Sequence, residues 1–416
     1  MDRPEPGLIK WSPIPGHDRF IHLNLQRRIV QLYEPTGLAQ AGRFDHRLVS
    51  KHDDFPALTT YDWSPSVPGL VAVGGQNGGV NLLRMDDNSN DYIELGLKMT
   101  RTCQAVAFNS QGLLAVGLDR VRLDQSLHIW DVNRLASVDK STKGFGKDFA
   151  DFTDPTHRLE SSASISSIKF FDDSPQTLII GVKGLGLRSH DLRDHANSVR
   201  LQYSTKCNNN LSIDFLDQNY FASSALDQPG VFVWDRRATG RAVASSAYLA
   251  AVDEEDISWG GALCMYDAVD MDEPSLSDSK HSMVRSLRYC RDRRGQLGVL
   301  TRTGQLKVMQ TTKEITSPEL QLAGSPELVQ LQTSHEMDVH FADPGRRNER
   351  IVSFDWITMG TPSLQPRLLV LRANGAFEIL EQPSYTSDHL YKLSSWQAPY
   401  RGLDGRHVDT KVKGQG

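Results

Sequence analysis

The residues best suited to chemistry fall in four short stretches. In SHEMDVH (334–340), His335 and His340 stand near Glu336 and Asp338, a donor set that suits a zinc ion. No third orienting ligand accompanies them, and the stretch reads as a loop. GVKGLG (181–186) has the glycines of a phosphate loop, but a strand follows it, and a dinucleotide site needs a helix N-terminus there. The acidic stretch 251–281 is rich in carboxylates, yet nothing in it suggests the burial that brings a carboxyl into the general-acid range. GLDRVRLDQSLHIWD (117–131) sets Arg122 between Asp119 and Asp124, with Ser126 beyond. An arginine fork across these two carboxylates would staple a long hairpin; left exposed, such a pair contributes only about 0–1 kcal/mol.

No G-x-S-x-G, G-x-x-x-x-G-K-S/T or H-E-x-x-H sequence occurs, so nucleophile-elbow, phosphate-loop and zinc-protease chemistry lack their residues. The four cysteines, Cys103, Cys207, Cys264 and Cys290, are scattered without a C-x-x-C pair. They read as small buried hydrophobes with reduced thiols in a cytosolic protein. Net charge is −5, and the densest basic stretch, RYCRDRRGQ (288–296), is short; it reads as a hairpin turn, and nucleic-acid binding is not expected. MDRPEPGLIKWSP at the start lacks the form of a secretory signal. LLAVGL and TLIIGV fall far short of the roughly 18 apolar residues of a membrane helix. The expectation is a non-enzyme without cofactor or metal.

The elements that hold these residues are strands. SLHIWDVNRL (126–135) and PGVFVWDRRA (229–238) repeat one phrase: alternating apolar residues, a Trp-Asp pair, then basic residues. Seven units align on that pattern, at 8–35, 59–86, 103–132, 164–193, 210–237, 284–312 and 351–381. Each runs from an apolar strand through a turn to a strand of small residues, then a Gly/Asn/Asp hairpin and an alternating strand. GQNGGV, ALDQPGV, TRTGQL and RANGAF occupy the same hairpin. A pitch near 45–50 residues is close to the about 40–45 of a WD40 blade. The fold class is therefore all-β, a seven-bladed WD40-type propeller with degenerate repeats. In it Trp130 and Trp234 fill the gap to the next blade, and Asp131 and Asp235 satisfy backbone groups at the turn.

The propeller is assigned to 8–396. Insertions near 136–163, 251–281 and 313–349 exceed ordinary hairpin loops of about two to five residues and read as docking loops or disordered excursions. The last of them carries SPEL twice, at Ser317 and Ser325. Because the first strand starts at Leu8, no N-terminal strand is left to close the ring. HLYKLSSW (389–396) is expected as the outer strand of the last blade, and 397–416 as a flexible tail.

The hairpin at 117–131 also carries a resemblance. A blade written G-L-D-x-x-R-x-D-x-S, an apolar residue and I-W-D resembles the Mio family of WD-repeat proteins, subunits of the SEA complex, called GATOR in animals. IKWSP with DRFI (9–13, 18–21), VAVGGQNGGV (71–80) and SHDLR (189–193) match the family pattern in order. Together they cover Leu8 to about Arg237. The resemblance implies a scaffold without catalytic residues, whose partners are other SEA/GATOR subunits. Through them amino-acid sufficiency reaches the TOR kinase complex. It implies a cytoplasmic protein held peripherally at the vacuolar or lysosomal membrane without inserting. Family members continue into a helical solenoid and a RING-like zinc domain, neither found up to Gly416; the expectation is a truncated product, a fragment or one piece of a split gene.

Two other classes compete. Trp234-Asp235-Arg236-Arg237 fits the W-D-x-R of substrate receptors of cullin-type ubiquitin ligases, with Arg237 as the adaptor contact. A hydrolytic propeller would need carboxylates or histidines converging at the inner-strand ends, and AVAFN (105–109) and SIKFF (167–171) offer none.

Overall fold

The computed structural model describes residues 7–36, 42–86, 92–95, 101–133, 154–195, 199–203, 209–225, 230–237, 264–266, 284–302, 304–315, 327–337, 349–358 and 366–381. Among them, strands pair into seven four-stranded antiparallel sheets, one for each aligned unit. The inner strands are Leu8–Trp11, Leu58–Trp63, Cys103–Phe108, Ile165–Phe170, Asn210–Ile213, Val284–Tyr289 and Ile351–Ile357. They neighbour one another from blade to blade and wall the central channel.

Apolar alternation puts side chains on both faces of each sheet, so each face must meet another. Seven apolar clusters result, one at every interface, including the one between the last blade and the first. The small residues of the second strands let neighbouring blades approach. A Cβ on Gly117 would lie 2.6 Å from Ile165 Cγ2 of the next blade, and one on Gly298 would lie 2.6 Å from Phe354. Trp130 and Trp234 are buried, but each faces the preceding blade: Trp130 packs with Leu70 and Leu82, Trp234 with Ile179 and Leu187. The expectation that these rings reach toward the next blade is corrected.

Ring closure also differs from expectation. The outer position of the last sheet is taken by Gly42–Arg43, which pairs with Ile379 and Glu378. The chain leaves the first blade after Ile29–Pro35, touches the last, and returns as the outer strand His46–His52. The N-terminal blade therefore lends its strand from within, between its third and fourth strands; Leu8 leads directly into the first inner strand. Residues 389–396 and 397–416 lie outside the described residues. With so short a pairing, closure depends on side chains. Phe377 meets the rings of Phe20 (5.0 Å), Tyr33 (5.4 Å), His22 (5.3 Å) and His46 (5.2 Å), and Phe44 lies 5.9 Å from Phe20.

Each stretch read as an insertion contains an outer strand: His157–Ser161, Cys264–Tyr266 and Glu327–Met337. Rim strands meet water on their outer side, so His157–Ser161 shows no apolar alternation. Within 334–340, residues 334–337 are strand and not loop, while 338–340 lie outside the described residues. Among the described residues no helix is long and apolar enough to cross a membrane.

Candidate functional site

Among the described residues, polar side chains gather at the strand-end turns, in the long hairpin of blade three and on the channel wall, and Glu160 with His190 and Arg188 forms a further cluster. At the turns, the carboxylate that ends the third strand caps the chain. Asp235 accepts from Arg237 N (2.8 Å) and from its guanidinium Nη2 (2.7 Å), and that guanidinium lies over the Tyr220 ring at 5.5 Å. Asp191 is held the same way by Arg193, N at 3.0 Å and Nη2 at 2.6 Å, and the Arg193 bonds pull its carboxyl down to about 2. Asp131 accepts from Asn133 N at 3.0 Å. SHDLR and VWDRR therefore build one device although only one keeps the Trp.

Between blades four and five, Arg200, Arg236 and Arg237 line a groove of about 490 Å³. Each is already matched: Arg200 by Asp191 and Asp194, Arg236 by Asp173, Arg237 by Asp235. Arg236 also lies over Phe171 at 4.6 Å. The groove offers no spare cation.

In the hairpin of blade three the fork belongs to Arg101, not Arg122. Buried Arg101 donates Nη2 to Gln125 O at 2.6 Å and pairs with Asp124 at 3.1 Å; its Nη1 lies 3.5 Å from Asp119 O. Arg122 points into solvent. The Asp119 carboxylate accepts from Gln104 Nε2 at 3.1 Å, and Ser126 is fully buried. The staple thus ties the hairpin to the segment entering the blade, at a sequence distance that hides it from a local motif search.

The channel wall carries residues that the Trp-Asp pattern overlooks. One residue before the large apolar side chain at or next to the end of each inner strand come Lys10, Asp62, Ala107, Lys169, Ser212, Arg288 and Asp355. They hold one register, opposite Ile21, Ala72, Ala115, Ile179, Ala222, Gly298 and Leu369 of the second strands. Lys10 pairs with Asp62, and Arg288 with Asp355 at 3.1 Å. These four keep 11–25% of their side-chain surface accessible, as a hydrated channel allows. Burial alone would raise the Asp62 carboxyl, but Lys10, Lys169 and the Phe108 N–H hold it below its ordinary value. The strands at 105–109 and 167–171 hold no carboxylate, but two other inner strands do, and both Asp62 and Asp355 are committed to cations and backbone. The signal was available: K-W, D-W, A-F, K-F, S-I, R-Y and D-W at the same strand end in all seven units.

Cys103 and Cys290 are buried, and burial pushes each thiol up to about 12, which leaves them inert as nucleophiles at neutral pH. Among the described residues no cluster of His, Cys, Asp and Glu has a metal-binding arrangement. His335 and Glu336 fall on an outer strand whose side chains are not described.

No family model matches the chain. It is 27% identical over 229 residues to the GATOR2 complex protein MIOS of Dictyostelium discoideum, covering 46% of this chain and 20% of that protein. It is 29% identical over 153 residues to SEH-associated protein 4 of Saccharomyces cerevisiae, covering 36% and 13%. With MIOS of Danio rerio the identity is 27% over 253 residues, covering 55% and 28%. The alignments thus span between 13% and 28% of these relatives' own lengths. The homologues of this chain are MIOS proteins and SEH-associated protein 4, as the hairpin of blade three implied. Among solved structures, Chaetomium thermophilum Sqt1, crystallised with the N-terminus of ribosomal protein L10, is similar at a TM-score of 0.52 and 14% identity, covering 90% of this chain and 83% of Sqt1. That likeness shows the fold.

Proposed function

We propose that this homologue of the MIOS proteins is a non-catalytic propeller scaffold of a SEA/GATOR-type complex, and that it supports amino-acid-dependent activation of TOR kinase signalling. Its partners on this reading are other subunits of that complex. Through them it resides in the cytoplasm and, peripherally, at the vacuolar or lysosomal surface. The observation that carries the reading is the internal commitment of the charged clusters: Asp62, Asp355, Asp191 and Asp235 are each matched by a cation and a backbone N–H. Such groups build a rigid ring and leave function to its outer surface. The relatives' printed names support the choice of complex. Affinity purification of the tagged 416-residue chain should recover proteins related to GATOR2 or SEA subunits.

The alternative, a substrate receptor of a cullin-type ubiquitin ligase, rests on Arg237. Its guanidinium is folded onto Asp235 and Tyr220, which blade closure explains without a partner. Recovery of a cullin adaptor, lost in Arg237→Ala, would replace the scaffold reading.

A further inference from the structure

The channel wall follows a rule that holds where the ring position can accept a hydrogen bond and lapses where it cannot. In each inner strand, the N–H one residue after the ring position points away from its own sheet. The next N–H along, from Ser12, Ser64, Asn109, Phe171, Asp214 or Cys290, closes the hairpin onto the second strand, and donors alternate sides along an antiparallel ladder. Where the ring position is Asp or Ser, the preceding blade supplies the acceptor. Phe108 N donates to Asp62 (2.7 Å), Tyr289 N to Ser212 Oγ (2.9 Å) and Trp11 N to Asp355 (2.7 Å).

Around blade four the supply stops. Ala107 has no side-chain acceptor for Phe170 N, and Lys169, a cation, accepts nothing from Ile213 N. Among the described residues neither N–H meets a side-chain acceptor, and Lys169 Nζ makes no hydrogen bond. Trp63 N, after Lys10, is in the same position, but there the cation is already matched by Asp62. The neighbours of Lys169 along the ring, Ala107 and Ser212, are small. Elsewhere on the ring a carboxylate receives one cation and one backbone N–H; here Lys169 feels Asp62 only at longer range, and among the described residues no carboxylate stands beside it to take the N–H of the next blade.

We propose that the channel wall at blades three to five binds a carboxylate, which takes the place of the side chain missing at Ala107, accepts from Phe170 N–H and pairs with Lys169. A backbone donor and an ammonium on the channel wall suit a small oxyanion. The carboxylate can be free or borne on an acidic side chain of a partner. The site does not depend on which complex the chain enters.

Lys169 faces Lys10, Asp62, Arg288 and Arg291, with Asp172 at the following turn, and burial with the cationic neighbours brings it down to about 8. Binding needs its proton, so affinity falls as pH rises past about 8.

The test is thermal unfolding of the 416-residue chain against sodium acetate, with sodium chloride at equal ionic strength as reference and an acetyl-capped tetraglutamate peptide as a second probe. A saturable rise in Tm with acetate is expected, weakened at least tenfold in half-saturation by Lys169→Met. Ala107→Asp, which repeats the residue at 62 and 355, should raise Tm without ligand and abolish the response. Peptide binding at least tenfold tighter than acetate assigns the carboxylate to a partner's side chain; equal or weaker binding assigns it to a free acid. No rise beyond chloride with either probe overturns the proposal. So does a response that Lys169→Met and Ala107→Asp both leave intact.

Discussion

Phe377→Ala tests how the ring is shut. The outer strand of the last blade contributes two paired residues, Gly42 and Arg43, whereas the outer strand of the first blade pairs through six. The seam must therefore be held by burial. Phe377 is 7% exposed and lies 5.0–5.4 Å, centroid to centroid, from Phe20, Tyr33, His22 and His46. Truncating a buried Phe removes about 3–5 kcal/mol, of which each lost ring pair accounts for about 0.5–1.5 kcal/mol. The loss should not be spread evenly. Blades one and seven are joined by the apolar cluster around Ile9, Trp11, Phe20 and Leu369, so the seam should open sub-globally before the ring unfolds. Hydrogen exchange read by mass spectrometry should show protection falling in 8–35 and 349–381 while 103–132 and 165–191 keep theirs. Leu178→Ala at the interface of blades three and four is the reference. Uniform loss of protection in Phe377→Ala, or the same exchange pattern in both variants, would refute a seam held by this cluster.

Three further outcomes follow from the same contacts. Arg101→Met should destabilise by about 1.5–3 kcal/mol, the range for hydrogen bonds to charged groups, while Arg122→Ala stays within about 0.5 kcal/mol; urea unfolding of the two separates them. Burial first, then Arg101, pushes the His128 imidazole down to about 4, against about 6.5 in an unfolded chain. The unfolded chain then takes up the proton first, so the stability contribution is present above pH 6.5 and is lost between 6.5 and 4, by at most about 3 kcal/mol. His128→Asn should flatten that limb in urea titrations from pH 7 to 4.5. Gly117→Val places carbon where Ile165 Cγ2 stands 2.6 Å from an ideal Cβ. Overpacking of about 1–3 kcal/mol should appear as a lowered Tm, partly restored by Ile165→Ala.

The seven units were legible because three strands of each blade bury both faces, so alternation and hairpin turns survive even where Trp-Asp has decayed to "SHDLR". The outer strands were not legible, because one face of a rim strand meets water. In His46–His52 the first three residues are exposed, and Tyr92 in Tyr92–Leu95 is exposed, so selection for apolar residues acts on too few positions to leave a period. Gly42–Arg43 is less visible still: a two-residue bridge is made by backbone bonds, and no side-chain pattern encodes it. Arg122 is the arginine a local reading finds, because it sits between its carboxylates in sequence. Arg101 reaches Asp124 and Gln125 across more than twenty residues by virtue of the hairpin. Only the local neighbour was visible in one dimension.

The channel wall joins these observations. Apolar clusters at seven interfaces hold blades together, but oily faces of similar size do not specify which blade follows which. The polar ring adds specificity, because each carboxylate requires a cation from the blade before it and a correctly placed backbone N–H from the blade after it. Asp62 takes Lys10 from the blade before it and Phe108 N from the blade after it; Asp355 takes Arg288 from before and Trp11 N from after. Asp355 thereby ties the last blade to the first in the channel while Phe377 ties them farther out. Buried ion pairs contribute little net stability, yet breaking one by removing a partner costs about 3–5 kcal/mol. That asymmetry penalises every wrong neighbour more than it rewards the right one. A ring specified in this way leaves a polar gap only where one of its positions is not matched. In this chain that gap falls at blades three to five, where Ala107 and Lys169 stand side by side.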